Sequence, residues 1–517
     1  MRVKRPAAPQ ATEKQAQETQ AQETQADETQ RGVVFPMDDS GRRSTTTLGR
    51  GVVADALRVA DPAGAQAVEQ QSDWRTGYLP HFRRLVTAGL DSPAAALAIG
   101  RAGVDSMHGR MRVTTGDGTD APLDKLFSDT AAHQYDTTVV TGEAAPSREF
   151  SLPYRGDRLT GDALRRQLDA WVAAGVIEPG CARAVETVAA NPDWLELPGR
   201  TVLVLGAAAE MGPLTSLMRW GVTAAAVDLP RPALWNRLLD VARHGGGTLL
   251  APSLLPGGTG GAAGAKSPVG ADLIHDLPAV ADWITGLDGQ LVLGNYVYAD
   301  GATNVRLSVA VDALTAELQG RRPDSALAFL ATPTDVFAVP PAAVAHARRA
   351  YADARPPARL ARRTLRSMSG GRLLHPSYSG DEEVGICDAL VPQQGPNYAL
   401  AKRLQRWRAT VARDEGATVS FKVAPPTRTR SVVKNKALAA AYAGAHRFGV
   451  EIFEPATSNT LMAALLVHDL HTGSPPHPEP WQDEAEAAAH GGLWRTAYAP
   501  RSALGLAALL GLGAGRR

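Results

Sequence analysis

The sequence predicts an α/β protein built on a doubly wound parallel sheet, with a helical region before the sheet and a helical insertion within it. Three observations carry this. Thr201–Leu205 is a continuous apolar run of strand length, the mark of a strand buried on both faces. It runs straight into the turn Gly206-Ala-Ala-Ala-Glu-Met-Gly212, a helical stretch from Pro213 to Trp220, and a second strand, Ala224–Val227, that ends on Asp228. Strand and helix patterns then alternate, with strands at Thr248–Ala251, Leu291–Leu293, Ala326–Ala331 and Thr418–Val423, and helices at Ala279–Gly286, Asn304–Leu318 and Tyr398–Arg413.

The remaining segments follow in chain order. Residues 16–30 are a five-residue AQETQ-like repeat without an apolar stripe, so residues 1–45 are expected to be a disordered tail. Residues 46–198 read as a helical region. Phe82, Leu85, Val86 and Leu90 share one stripe, and Asp91 or Ser92 before Pro93 makes a helix start. Residues 111–150 carry no clear pattern, and helical periodicity resumes over Thr160–Ala190. The sheet domain occupies 199–470. A glycine-rich loop at Gly257–Gly270 and a helical insertion at about 335–394 interrupt it. Residues 471–517 are expected to be a tail with a terminal helix; the apolar run Ser502–Gly515 falls short of the roughly 20 residues that span a bilayer.

Composition removes several function classes. Of 517 residues, 44% are hydrophobic, enough for a substantial core. The 54 basic residues are balanced by 53 acidic ones, which argues against a nucleic-acid binder held by a global positive field. Two cysteines, Cys181 and Cys387, form neither a disulfide framework nor a thiolate metal site. His468, His471 and His477 lack a second ligand cluster, so no metal is expected. The amino terminus has no apolar core of signal-peptide length, and the expected location is cytoplasmic, without membrane contact. Arginine supplies 46 of the 54 basic residues, which reads as the coding bias of a GC-rich bacterial genome.

The chemistry-bearing residues begin at the first turn. Gly206 permits a tight exit from the strand and Gly212 close helix packing. Between them Glu210 and Met211 sit where backbone N–H groups at a helix start can meet a pyrophosphate. Asp228 lies where a carboxylate grips a ribose diol and repels a 2′-phosphate, although Arg231 nearby can accommodate that phosphate. This is the opening of a Rossmann-like nucleotide-binding domain. Tyr398 and Lys402 are one helical turn apart and share a face. An ammonium beside a phenol lowers the phenol's pKa and makes it a usable acid or base at a carbonyl.

With Gly206–Gly212, Asp228 and the Tyr398/Lys402 pair in place, the chain resembles the short-chain dehydrogenase/reductase family over roughly Gly199 to Leu470. The segment Ala417–Thr429 looks like that family's last core strand and the Pro-containing loop over the nicotinamide, through Pro425 and Thr429. Pro426 stands where a glycine is usual, and Leu293-Gly294-Asn295-Tyr296 replaces the Asn-Asn-Ala-Gly motif. The resemblance implies that Asn304 holds a relay water, that Thr332 or Thr334 takes the place of the usual serine, and that Asp276-Leu277 contacts the adenine. It implies an oxidoreductase that passes a hydride between NAD or NADP and a carbonyl or alcohol carbon. Tyr398 would exchange the proton and Lys402 would bind the ribose, with NAD slightly favoured by Asp228.

Arg428, Arg430, Lys434 and Lys436 read first as a solvated face. The alternative is a grip on a small-molecule substrate that is anionic or carrier-linked. Arg355–Arg366 could face the same cleft. Two other functions stay open: an S-adenosylmethionine-dependent methyltransferase, since the first two strands suit that cofactor, and a catalytically altered nucleotide-binding protein. A homo-oligomer also stays open.

Overall fold

A computed structural model describes residues 32–514 except 39, 115–117, 129–130, 132, 255–267 and 381. The repeat-bearing residues 1–31 and most of the glycine-rich loop therefore lie outside the described residues. The central sheet has seven strands: β1 (Tyr135–Thr141), β2 (Arg200–Leu205), β3 (Thr223–Val227), β4 (Thr248–Leu254), β5 (Gln290–Asn295), β6 (Ala326–Ala331) and β7 (Val419–Val423). Across the sheet the order is β7-β6-β5-β2-β3-β4-β1. Strands β2 to β7 are mutually parallel, and β1 runs antiparallel along the edge of β4.

The apolar runs have a physical reason: both faces are covered. Leu203, Leu205, Leu293, Phe329 and Phe421 face one hydrophobic layer, while Val202, Val204, Ala226, Val292 and Ala328 face the other. The chain leaves β2 toward β3 and β4, then returns to the other side of β2 at β5. In such sheets the carboxyl ends of the strands around the reversal are where a crevice opens.

The flanking regions are less separable than the sequence suggests. The supposed tail is ordered from residue 32: Gly32–Val34 pairs with Arg112–Thr114, and Val33, Val34 and Phe35 are buried. Strand β1 arises from the stretch with no clear pattern inside the predicted helical region. Trp283 Nε1 donates to its Thr137 Oγ1 at 2.9 Å. The helix start at Ser92 is as expected, with its Oγ accepting from Ala95 N at 3.1 Å.

The supposed carboxyl-terminal tail also returns to the body. The Ala489 N–H donates to Val423 O at 2.9 Å, beside β7. Buried Glu178 accepts from His490 Nε2 at 3.0 Å and Arg495 Nε at 2.9 Å, joining the region before the sheet to the end of the chain. The helix Pro500–Ala514 crosses Lys436–Ala445 at Gly444 and Gly511, where a Cβ would strike the facing backbone. No helix among the described residues is long and apolar enough to cross a membrane.

The helix Gly395–Asp414 is the organising rod. It buries four arginines that its sequence would place in solvent. Arg403 and Arg406 bond Asp335 at 3.0 and 2.9 Å, and Arg406 also pairs with Glu484 at 2.6 Å. Arg408 forks onto Asp312, which also meets His108 at 2.7 Å. Arg413 reaches Asp483 at 3.3 Å.

Candidate functional site

A cleft of about 1290 Å³ opens at the carboxyl ends of β5, β6 and β7. Thr332, Pro333 and Thr334 follow β6; Tyr398 and Lys402 project from the Gly395–Asp414 helix; Pro425 to Thr429 follow β7. Asn304 enters from the helix after β5, and Met211 from the first turn. Thus Tyr398, Lys402, Asn304, Thr332, Thr334, Met211, Pro425 and Thr429 line one cavity.

Gln394 Nε2 donates to Thr334 Oγ1 at 3.0 Å, and the Thr334 and Thr332 hydroxyls share a hydrogen bond of 2.8 Å in which either oxygen can be the donor. Thr332 is the side chain that acts on the Tyr398 phenol, lowering its pKa. Burial pushes the Tyr398 phenol up to about 12, against the opposing effect of the Thr332 hydrogen bond. Tyr398 is therefore a protonated donor at neutral pH.

That corrects the expected lysine effect. Lys402 Nζ bonds Leu330 O at 3.3 Å and Gln405 Oε1 at 3.1 Å, and it is not among the influences on the Tyr398 pKa. Burial instead pulls the Lys402 ammonium down to about 8. Gln405 is itself held by Asn295 Oδ1 at 3.2 Å, so Asn295, in the altered fourth-strand motif, orients the lysine through Gln405. Asn304 accepts from Ala299 N at 3.0 Å, which gives its carbonyl a loop-anchoring role in place of the expected relay water.

The first turn departs further. Gly206 has φ 78° and packs against the Tyr296–Val297 backbone, as a tight turn requires. Its own N–H and those of Ala207, Ala209 and Gly212 are all bonded within the protein. The Asp228 carboxylate accepts from Ala208 N at 2.9 Å and Leu229 N at 2.8 Å, so it braces the turn, and the inferred preference for NAD loses its basis. Glu210 accepts from Arg430 N at 2.8 Å and pairs with the Arg430 guanidinium at 3.1 Å. The helix after the turn begins only at Leu214. Asp276 accepts from Tyr135 OH at 2.9 Å, and Leu277 is fully buried core, so neither reaches the cleft.

Other lining residues carried no legible signal. Tyr298 meets Tyr398 edge-on with ring centres 6.1 Å apart, Tyr442 stands beside them, and Arg75 arrives from the region before the sheet. The basic run divides: Arg430 holds Glu210, whereas exposed Lys434 and Lys436 line the cleft. Arg359, Arg362 and Arg366 fold onto Ala352 and Tyr351 in their own insertion, so the expected second basic face is absent from the cleft lining.

No protein-family model matches the chain, and no curated protein matches it significantly.

The donor set fits a dinucleotide at one end only. Tyr398, Lys402 and Thr429 suit a nicotinamide riboside. At the other end the turn's amides are mostly engaged and Glu210 puts a negative charge where a pyrophosphate would lie.

Proposed function

We propose that this chain is a carbonyl-reducing oxidoreductase on a doubly wound, Rossmann-like sheet, with NADH or NADPH as hydride source. The single observation that carries this is the convergence of Tyr398, Lys402, Thr332 and Thr334 on one cleft at the carboxyl ends of β5, β6 and β7, with Thr332 acting on the phenol. A bound nicotinamide would supply the hydride. Tyr398 donates a proton to the carbonyl oxygen, Thr332 stabilises the phenolate left behind, and Gln394 and Thr334 hold that hydroxyl in line. Lys402, fixed by Gln405 and Leu330 O, lines the same cleft and would hold the nicotinamide ribose.

Titration of the full chain with NADH, NADPH and S-adenosylmethionine tests this, followed by turnover on a panel of aldehydes and ketones. Nicotinamide binding with turnover lost in Tyr398→Phe is the expected result. The closed turn and the Glu210 carboxylate favour a second reading, a cleft binder that needs no dinucleotide. No nicotinamide binding would sink the oxidoreductase and leave that alternative standing. Binding of S-adenosylmethionine alone would favour the methyltransferase.

A further inference from the structure

Behind the catalytic end of the cleft lies a second cavity of about 80 Å³, between the helices Lys436–Ala445 and Pro500–Ala514. The two cavities share Thr334, Pro426, Leu438 and Tyr442 in their walls, so the smaller one opens beside the hydroxyl chain that ends at Tyr398. Its remaining walls are largely apolar, among them Ala441, Val450, Ile452 and Leu504. Two of its polar members are already engaged: Thr496 Oγ1 donates to Phe448 O at 2.9 Å, and Arg501 pairs with Asp388. At about 30 Å³ per water-sized group, this volume admits about three such groups.

The outer wall is the opposite in character. Lys434 and Lys436 stand exposed on it, with Arg75 across from them, and neither lysine makes an ion pair among the described residues. Among the described residues Asp300 is the one carboxylate in the lining, and Tyr298 OH already donates to it at 2.9 Å. The cleft therefore combines a dry recess beside Thr334 with exposed lysines that make no ion pair among the described residues.

We propose that the substrate is an anionic amphiphile. Its apolar arm, a short chain of about three carbons, fills the recess, its carbonyl lies at Tyr398, and a carboxylate or phosphate on its other arm meets Lys434 and Lys436. This rests on the reading of the cleft as a carbonyl site and adds the substrate class. The recess explains why the chain's last helix is clamped so closely to Lys436–Ala445: together they form its walls.

The test is calorimetric binding to the full chain of straight-chain carboxylates and alkyl phosphates of about four to twelve carbons, with alkylamines of the same lengths as controls. Affinity is expected to rise about fourfold per methylene over about three methylenes that enter the recess, and to level off beyond them. Amines should bind at least about tenfold more weakly. Tighter phosphates at every length identify a phosphate end; parity of the two anions identifies charge alone, and both results support the proposal. Two recess-filling variants from different helices, Ala441→Leu and Ala503→Leu, should flatten the length dependence while butanoate binding is kept. Retained melting temperatures verify that they fold. The double change Lys434→Gln and Lys436→Gln should weaken all lengths by one common factor. Affinity independent of chain length, or amines as tight as anions, would overturn the inference. Length-dependent anion binding without carbonyl turnover would keep this site and remove the oxidoreductase, whereas turnover of short neutral carbonyls alone would do the reverse.

Discussion

Lys402 offers the sharpest test of the cleft's electrostatics. Its ammonium is enclosed by the Gly395–Asp414 helix and β6 with only neutral partners, Leu330 O and Gln405 Oε1, and burial lowers its pKa from 10.5 to about 8. With that midpoint, about nine-tenths of the side chains are charged at pH 7 and about one-tenth at pH 9, whereas an ordinary lysine stays charged throughout. The folded pKa lies below the unfolded one, so the folded chain pays for the charge in full below pH 8. Stability then rises as pH climbs from about 8 to 10.5. The full shift is worth about 3 kcal/mol, and partial exposure to the cleft lowers this to about 1–2 kcal/mol. Labelling the side chains of the eight lysines with carbon-13 resolves the titration by NMR, and Lys402→Arg identifies the signal. One resonance should titrate near 8, and octanoate affinity should fall by up to about tenfold from pH 7 to pH 9. Because arginine stays charged, Lys402→Arg should flatten that fall. A Lys402 midpoint above about 9.5, or an unchanged fall in the arginine variant, would refute the reasoning.

Three further outcomes are expected. Replacing Glu210 with Gly removes the carboxylate from the pyrophosphate position and frees Arg430; NADH affinity should rise about tenfold or more by fluorescence titration, since a full charge no longer opposes the phosphates. Burial raises the Glu178 carboxyl, but bonds from His490 and Arg495 outweigh it and hold it near 2, below the usual 4.5. Its contribution of about 3 kcal/mol is thus complete above pH 4.5 and is lost as pH falls toward 2; in urea denaturation Glu178→Gln should lose about 3–5 kcal/mol at pH 7 and flatten the acid limb. Asp312→Ala leaves Arg408 buried without its carboxylate and should cost about 3–5 kcal/mol, read from the same denaturation curves.

Most of the six parallel strands were legible because two-sided burial writes them as apolar words, such as Thr201–Leu205 or Ala326–Ala331, whereas β7 interleaves Ser420 and Lys422, which reach buried Asp469. Strand β1 was not, because as a half-exposed edge it is spelled Tyr-Asp-Thr-Thr-Val-Val-Thr, with Val139 in solvent. The tyrosine helix was placed by its Tyr398/Lys402 spacing. The burial of Arg403, Arg406 and Arg408 was hidden, since a sequence shows their charge and not the acids waiting at Asp335, Glu484 and Asp312. Asp228 and Asp276 were read as nucleotide contacts because a motif gives position along the chain, while their acceptors were already claimed by Ala208 and Tyr135. Gln394 and Lys434 belong to no motif. Only the folded geometry of β6, β7 and their loops brings them to the cleft.

The buried arginines set a limit on dissection. Cutting out residues 199–470 as a free-standing catalytic unit would leave Arg406 without Glu484 and Arg413 without Asp483, and would strip β1 from β4, exposing a bare row of backbone donors and acceptors. Such a fragment should aggregate on expression, because the segments on both sides of residues 199–470 supply partners to its buried charges and its sheet edge.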